Sequence, residues 1–325
     1  MNKYYQFLAT AVATIALSLV SFNAGAVVIN NGLATSQQGY WSVDVLDGGE
    51  TRTANLTGTG TPSGTVFQDE EIIFDYFSYV DAGSGGVRLS ATTIVSAASV
   101  TNPGEVTSTG NFLGSAGNII DWVMVSTIIA GSSILTNELT LTARTGTLGA
   151  LDFYQYLDED VLGSGDDFFF TRGSTGSNLE LFTIDNAEAI GVSHSGAQSG
   201  GQGLVNSNFS GWAADVYNNI KPMISAGTQA VSPVGVISAS LAAVAANHPV
   251  AGAGYGPTDI VSVVAWDMVP AATAATVLTT LGGVPNINVV SGEPIPVPAL
   301  DIRMLALLTL LLGVGGVIAI RRQIS

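Results

Sequence analysis

Asp158-Glu159-Asp160-Val161-Leu162-Gly163-Ser164-Gly165-Asp166-Asp167 is the densest run of chemistry-bearing side chains in the 325-residue sequence. Carboxylate oxygens suit Ca2+, which takes about six to eight of them, and glycines let a loop fold around an ion. The run lacks the alternation and terminal glutamate of an EF-hand loop, and it holds too little repetition for a calcium-binding β-roll. Asp158, Asp160, Asp166 and Asp167 are therefore the candidate calcium ligands, weighed against a plain acidic, solvated turn. Asp69-Glu70-Glu71 is a shorter acidic run, suited to keeping a hydrophobic strand soluble and guarding an edge.

Other chemistries find little purchase. The sequence has no cysteine, which excludes thiolate metal sites, disulfide frameworks and cysteine nucleophiles. The two histidines, His194 and His248, cannot form a three-histidine metal site. His194-Ser195 lacks the Gly-x-Ser-x-Gly elbow of a serine nucleophile, so both histidines read as loop residues. Gly83 to Gly86 lead into a strand rather than a helix and carry no lysine, unlike a phosphate loop. Paired carboxylates for glycoside hydrolysis remain open, because 25 acids always offer pairs. Trp41, Trp122, Trp212 and Trp266 could stack on sugars, but Trp41, Trp122 and Trp266 fall within expected strands, where a core role is favoured. No catalytic residue and no cofactor other than calcium is expected.

Charge narrows the partners. Between Val27 and Asp301 five basic residues, Arg52, Arg88, Arg144, Arg172 and Lys221, oppose 25 carboxylates and leave −20. Such a surface repels phosphate backbones and excludes nucleic acid as a partner. Abundant Gly, Ala, Ser and Thr, with few Lys, Glu and Arg, favour strands and turns over long surface helices.

The expected elements follow. Tyr40 to Leu46 alternates and ends at the turn Asp47-Gly48-Gly49. Ile72 to Val80 and Val87 to Ser96 read as partner strands, and Ile119 to Ile129 with Ile134 to Ala143 as a hairpin. Within the latter, Leu135, Asn137, Leu139 and Leu141 share one side. Leu151 to Leu157, Asp167 to Thr171 and Leu179 to Ile184 add three strands. Val192 to Gly203 reads as a Ser/Gly/Gln loop. Trp212, Val216 and Ile220 sit at helical spacing, so Phe209 to Ile220 is expected to be a short amphipathic helix. Val234 to Asn247 is ambiguous, and Ile260 to Met268 with Ala274 to Leu281 reads as a closing hairpin. With turns throughout and no βαβ rhythm, the fold class is mainly β. One antiparallel β-sandwich spans 27–283, larger than an immunoglobulin-like domain and interrupted by a helical or loop excursion.

The two ends read as addresses. Lys3, an apolar stretch from Phe7 to Val20 and small residues at Ala24 and Ala26 make 1–26 a cleavable signal peptide. A proline-rich linker spans 284–303, and seventeen uncharged residues from Met304 to Ile320 reach the lower limit of a transmembrane helix. Arg321 and Arg322 open a basic cytoplasmic tail over 321–325. Val297-Pro298-Ala299-Leu300, followed by that helix and those arginines, resembles the IPTL-CTERM and PEP-CTERM sorting signals of Gram-negative bacteria. The resemblance covers about the last thirty residues. It implies export machinery and a membrane-embedded processing enzyme as partners, and delivery to the cell surface or extracellular matrix. A plain membrane anchor facing outward is the alternative.

The expectation is an exported, non-enzymatic surface protein, structural, adhesive or ligand-binding. The competing expectation is a carbohydrate-binding or glycoside hydrolase-like protein with extracellular polysaccharide as partner. Two carboxylates across a cleft beside an exposed Trp or Tyr would favour the latter.

Overall fold

The computed structural model describes residues 26–60, 63–163, 165, 167–172, 179–185, 190–196, 204–247 and 254–285. Ala24, the leader before it, the linker from residue 286, the sorting motif, the apolar run and Arg321-Arg322 lie outside the described residues, as do Asp166 and His248. Among the described residues no helix is long and apolar enough to cross a membrane.

Among the described residues seventeen strands form two sheets. They run β1 (Val27–Asn30), β2 (Trp41–Val45), β3 (Thr51–Thr59), β4 (Val66–Asp81), β5 (Val87–Arg88), β6 (Thr93–Asn102), β7 (Glu105–Leu113), β8 (Ile119–Ile128) and β9 (Ile134–Ala143). There follow β10 (Asp152–Glu159), β11 (Asp167–Arg172), β12 (Glu180–Asp185), β13 (Gly191–Gly196), β14 (Ser207–Val216), β15 (Val236–Ile237), β16 (Ile260–Met268) and β17 (Ala274–Val284). Two helices, α1 (Ile220–Ser225) and α2 (Ala239–Asn247), lie between β14 and β16. Sheet I has the order β1-β2-β3-β4-β10-β16-β14-β15, with β5 added to β4, and sheet II the order β11-β12-β13-β17-β9-β8-β7-β6. All of the pairs are antiparallel except β14 with β15.

Period-two alternation builds these sheets. In β8, Ile120, Trp122, Met124, Ser126 and Ile128 are buried while their neighbours are not. In β9, Leu135, Asn137, Leu139 and Leu141 are buried as expected. Asn137 is tolerated there because its Nδ2 donates to the Gly49 carbonyl at 2.8 Å. Trp41, Trp122 and Trp266 are at most 1% exposed, so the expected core role holds for all three. Trp122, Trp266, Phe153 and Phe169 anchor one apolar cluster, and Trp41, Leu56, Tyr76 and Leu281 anchor a second.

Four expectations fail, each for a physical reason. Phe209 to Ile220 is not a helix: β14 occupies most of it, with Trp212 in the core and Ala213 on the opposite face. Only Ile220 belongs to a helix, because pairing with β16 along the whole of β14 overrides the helical spacing. The supposed loop from Val192 begins as β13, an interior strand between β12 and β17. Its glycine has a packing purpose, since a Cβ on Gly196 would lie 2.2 Å from the Trp266 ring. Val87 to Ser96 is split by a 3-10 turn at Leu89–Ala91, which sends β5 to sheet I and β6 to sheet II. Finally, β16 and β17 do not pair; the segment between them crosses from one sheet to the other. The coarser expectation, a mainly β fold of antiparallel-dominated sheets with few helices, stands.

Candidate functional site

Two neighbouring strands carry the same pattern. β4 ends Asp75-Tyr76-Phe77-Ser78-Tyr79-Val80-Asp81, and β10 begins Asp152-Phe153-Tyr154-Gln155-Tyr156-Leu157-Asp158. Because they pair antiparallel, Asp75 meets Asp158, Phe77 meets Tyr156, Tyr79 meets Tyr154, and Asp81 meets Asp152. Alternate residues share a face, so four aromatic rings form a floor with a pair of carboxylates at each end. β16 extends it with Val261, Val263, Ala265 and Asp267. The intervening residues, Tyr76, Ser78 and Gln155 among them, face the interior between the sheets.

The excursion roofs this floor. Ile220 and Ile224 of α1 are at most 1% exposed against Phe77, Tyr156 and Val263. The approach needs glycine: Gly86 N–H donates to the Ile224 carbonyl at 2.8 Å, and a Cβ on Gly85, at φ 98°, would sit 2.2 Å from the Ser225 carbonyl oxygen.

Lys221 of α1 plugs one end. Its Nζ donates to Asp75 and, at 3.3 Å, to Asp158, and lies 4.9 Å and 5.2 Å from the ring centroids of Tyr156 and Phe77. The ammonium is thus held by two carboxylates and two π faces. Tyr156 Oη also donates to Asp158 Oδ2 at 3.1 Å. Burial pushes the Asp158 carboxyl up to about 6 even though Lys221 opposes the rise. Arg88 covers the same floor, its guanidinium 3.5 Å from the Phe77 centroid and paired with the fully buried Glu50.

The other end holds Asp81, Asp152 and Asp267. Asp81 Oδ1 accepts backbone N–H groups of Gly83, Ser84 and Gly85 at 2.7, 3.1 and 3.0 Å. Asp152 is pushed up to about 6, first by burial and then by Asp267 and Asp81, and it shares a hydrogen bond with Asp267. A carboxyl raised in the folded state favours folding below its unfolded value and loses that advantage as pH rises through the folded one. Asp152→Asn is therefore expected to reduce the fall in melting temperature between pH 4 and pH 7. The half-exposed setting limits the effect to about 1 kcal/mol. Melting curves of both proteins across that range check it; identical slopes would show that Asp152 titrates normally.

A third polar group lies between the sheets. Ser262 of β16 donates to Glu159 Oε1 at 2.9 Å, and its Oγ lies 3.4 Å from His194 Nδ1 of β13. Both ionisable partners are at most 1% exposed. Burial raises Glu159 well above the usual carboxylate range and lowers His194 to about 3, disfavouring the charged form of each.

Three of the candidate calcium ligands, Asp158, Asp160 and Asp167, are among the described residues. Asp158 is engaged by Lys221 in sheet I, Asp160 follows β10, and Asp167 opens β11 in sheet II, fully buried. Among the described residues no three Asp, Glu or His side chains converge as metal ligands. Ala26, on the expected cleavage site, is exposed. The floor itself went unread in the sequence, although its signal was present as the repeated Asp-x-aromatic-x-aromatic-x-Asp of β4 and β10. His194, expected in a loop, is instead a fully buried strand residue.

No family model and no curated protein matches the chain. Among solved structures it is similar to a bacterial glucoamylase complexed with acarbose, with TM-score 0.42 and 9% identity over 81% of this chain and 35% of that one. It is also similar to a galactose mutarotase related enzyme from Lactobacillus acidophilus, with TM-score 0.39 and 6% identity over 80% of this chain and 99% of that one. An aldose epimerase homologue from C. elegans matches with TM-score 0.39 and 7% identity, over 80% and 99% of the two chains. The chain thus spans about a third of the glucoamylase. At these values the likeness assigns no residue and no activity to this chain.

Proposed function

We propose that the chain is an exported protein of the bacterial surface or matrix whose β-sandwich binds or builds rather than catalyses. One observation carries the non-catalytic half: the carboxylates grouped on the aromatic floor are engaged by the protein itself. Asp75 and Asp158 hold Lys221, Asp81 holds three backbone N–H groups, and Asp152 holds Asp267. The export half rests on the leader and on the tail that resembles a sorting signal. In this reading Ala24 and Ala26 mark the first cleavage. Val297 to Leu300 is presented to a membrane-embedded enzyme, while the apolar run and Arg321-Arg322 hold the chain facing outward. Fractionating cells that express the full chain tests it. The body should be found in the envelope or the medium; a cytoplasmic, full-length product would overturn the reading.

A carbohydrate-active enzyme is the second reading, favoured by the hydrogen-bonded pair Asp152 and Asp267 beside Tyr154. Those carboxyls touch each other on neighbouring strands, closer than the ~5 Å or more that separates glycosidase pairs. That geometry is the reason it ranks second.

A further inference from the structure

A cavity of about 300 Å³ lies where the end of β4 and the β4–β5 connection face β6 and β7. Its apolar wall is Val80 and Ala82 from one side and Phe112 and Leu113 from the other. Phe112 packs against the core, and Val87 and Leu113 at the rim are exposed. Trp122 Nε1 donates to Thr92 Oγ1 at 2.8 Å and so fixes the lining at β6. Thr93 and Asn111 are partners across the β6–β7 ladder, and Ser84 stands on the β4–β5 side. Among the described residues, no hydrogen bond within the chain engages the side chains of Ser84, Thr93 or Asn111.

No charged residue lines this cavity, in a body that carries −20. An ion entering it would meet no charged partner, and a purely apolar guest would cover the half-buried Asn111 amide, while Ser84 and Thr93 are exposed at the mouth. A neutral molecule with one apolar face and several hydroxyls satisfies both walls: its C–H face on Phe112, its hydroxyls toward Asn111, Thr93 and Ser84. The volume is at the low end of the roughly 300–1,000 Å³ of ligand sites, room for one ring rather than a chain. We propose that this cavity binds a single neutral sugar unit, free or at the end of a neutral glycan. The inference deepens the reading of the domain as a binding module and rests on it.

Saturation-transfer NMR on the purified full chain tests it, with glucose, galactose, mannose and N-acetylglucosamine as free probes. Maltotriose and chitotriose serve as glycan ends, and glucuronate as the anionic control. At least one neutral probe should receive saturation and glucuronate none; in a trisaccharide, saturation confined to a terminal ring identifies a glycan end. Val87→Trp, at a 46% exposed rim position, should plug the cavity without disturbing the fold, which a melting curve verifies. Asn111→Leu should weaken the same binding by roughly tenfold, one lost hydrogen-bonding group. Saturation of no neutral probe, equal saturation of glucuronate, or binding that survives Val87→Trp would each overturn the proposal. None of these outcomes bears on export, which fractionation decides separately.

Discussion

Glutamine in place of Glu159 is expected to stabilise the domain at pH 8, where folding must hold a buried carboxyl against ionisation. Glu159 is 1% exposed between the sheets and accepts the Ser262 hydroxyl at 2.9 Å. Burial raises its carboxyl well above the ordinary range, so the native state keeps a proton that the unfolded chain has released. Stability therefore declines as pH rises from the unfolded value toward the folded one. Glutamine has the same shape, cannot ionise, and still offers an oxygen to Ser262. Urea unfolding of both proteins at pH 5 and pH 8 measures the effect. The variant should lose most of the alkaline decline, whereas an equal decline in both would mean that Glu159 stays ionised in the fold. Alanine at the same position should lose the alkaline decline as well but destabilise at pH 5, because it leaves a cavity and removes the acceptor of Ser262.

Phenylalanine in place of His194 is expected to flatten the acid side of the same stability curve. The imidazole is fully buried, edge-on to Tyr76 at 5.4 Å between centroids, and its pKa is lowered to about 3. The unfolded chain takes up a proton near the ordinary value of 6.5 and the native state does not, so stability falls as pH drops below that value. At ~1.4 kcal/mol per unit the full loss is on the order of 4 kcal/mol by pH 3. Phe preserves the ring contact with Tyr76 and gives up only the long approach to Ser262, a cost of about 1 kcal/mol at neutral pH. Denaturation at pH 4 and pH 7 compares the two proteins. An unchanged acid limb in the variant would place the acid sensitivity elsewhere.

These two groups show where the sequence could and could not be read. The hairpin of β8 and β9, with every second residue apolar, declares both its strands and its buried face. The core tryptophans follow from the strands that contain them. β14 does not, because its residues satisfy two periodicities and only the presence of β16 beside it chooses between them. β13 hides for the opposite reason: glycine and serine look like loop, yet the glycine is what admits Trp266. The aromatic floor was legible in principle, since the alternation in β4 and β10 puts both Asp residues and two aromatics of each strand on one face. Its roof was not, because Lys221 reaches Asp75 across 146 residues of chain. A single lysine in an acidic sequence carries no sign of the carboxylates it will neutralise.

Of the candidate calcium ligands, those described are sequence neighbours that strands carry apart, while Asp166 lies outside the described residues. Asp158 belongs to a strand of sheet I and Asp167 to a strand of sheet II, and the sheets separate what the sequence brings together. The clustering that did arise, Asp81 with Asp152 and Asp267, joins residues far apart in the chain. Such a site is created by register, and register is a property of pairing rather than of local composition.

The intact mass of the protein recovered from expressing cells tests the proposed export most directly. The predicted mature chain begins at Val27, after Ala26, and ends near Pro298, without the apolar run or Arg321-Arg322. A recovered mass that corresponds to Met1 through Ser325 would contradict both cleavages and with them the reading of this protein as an exported surface module.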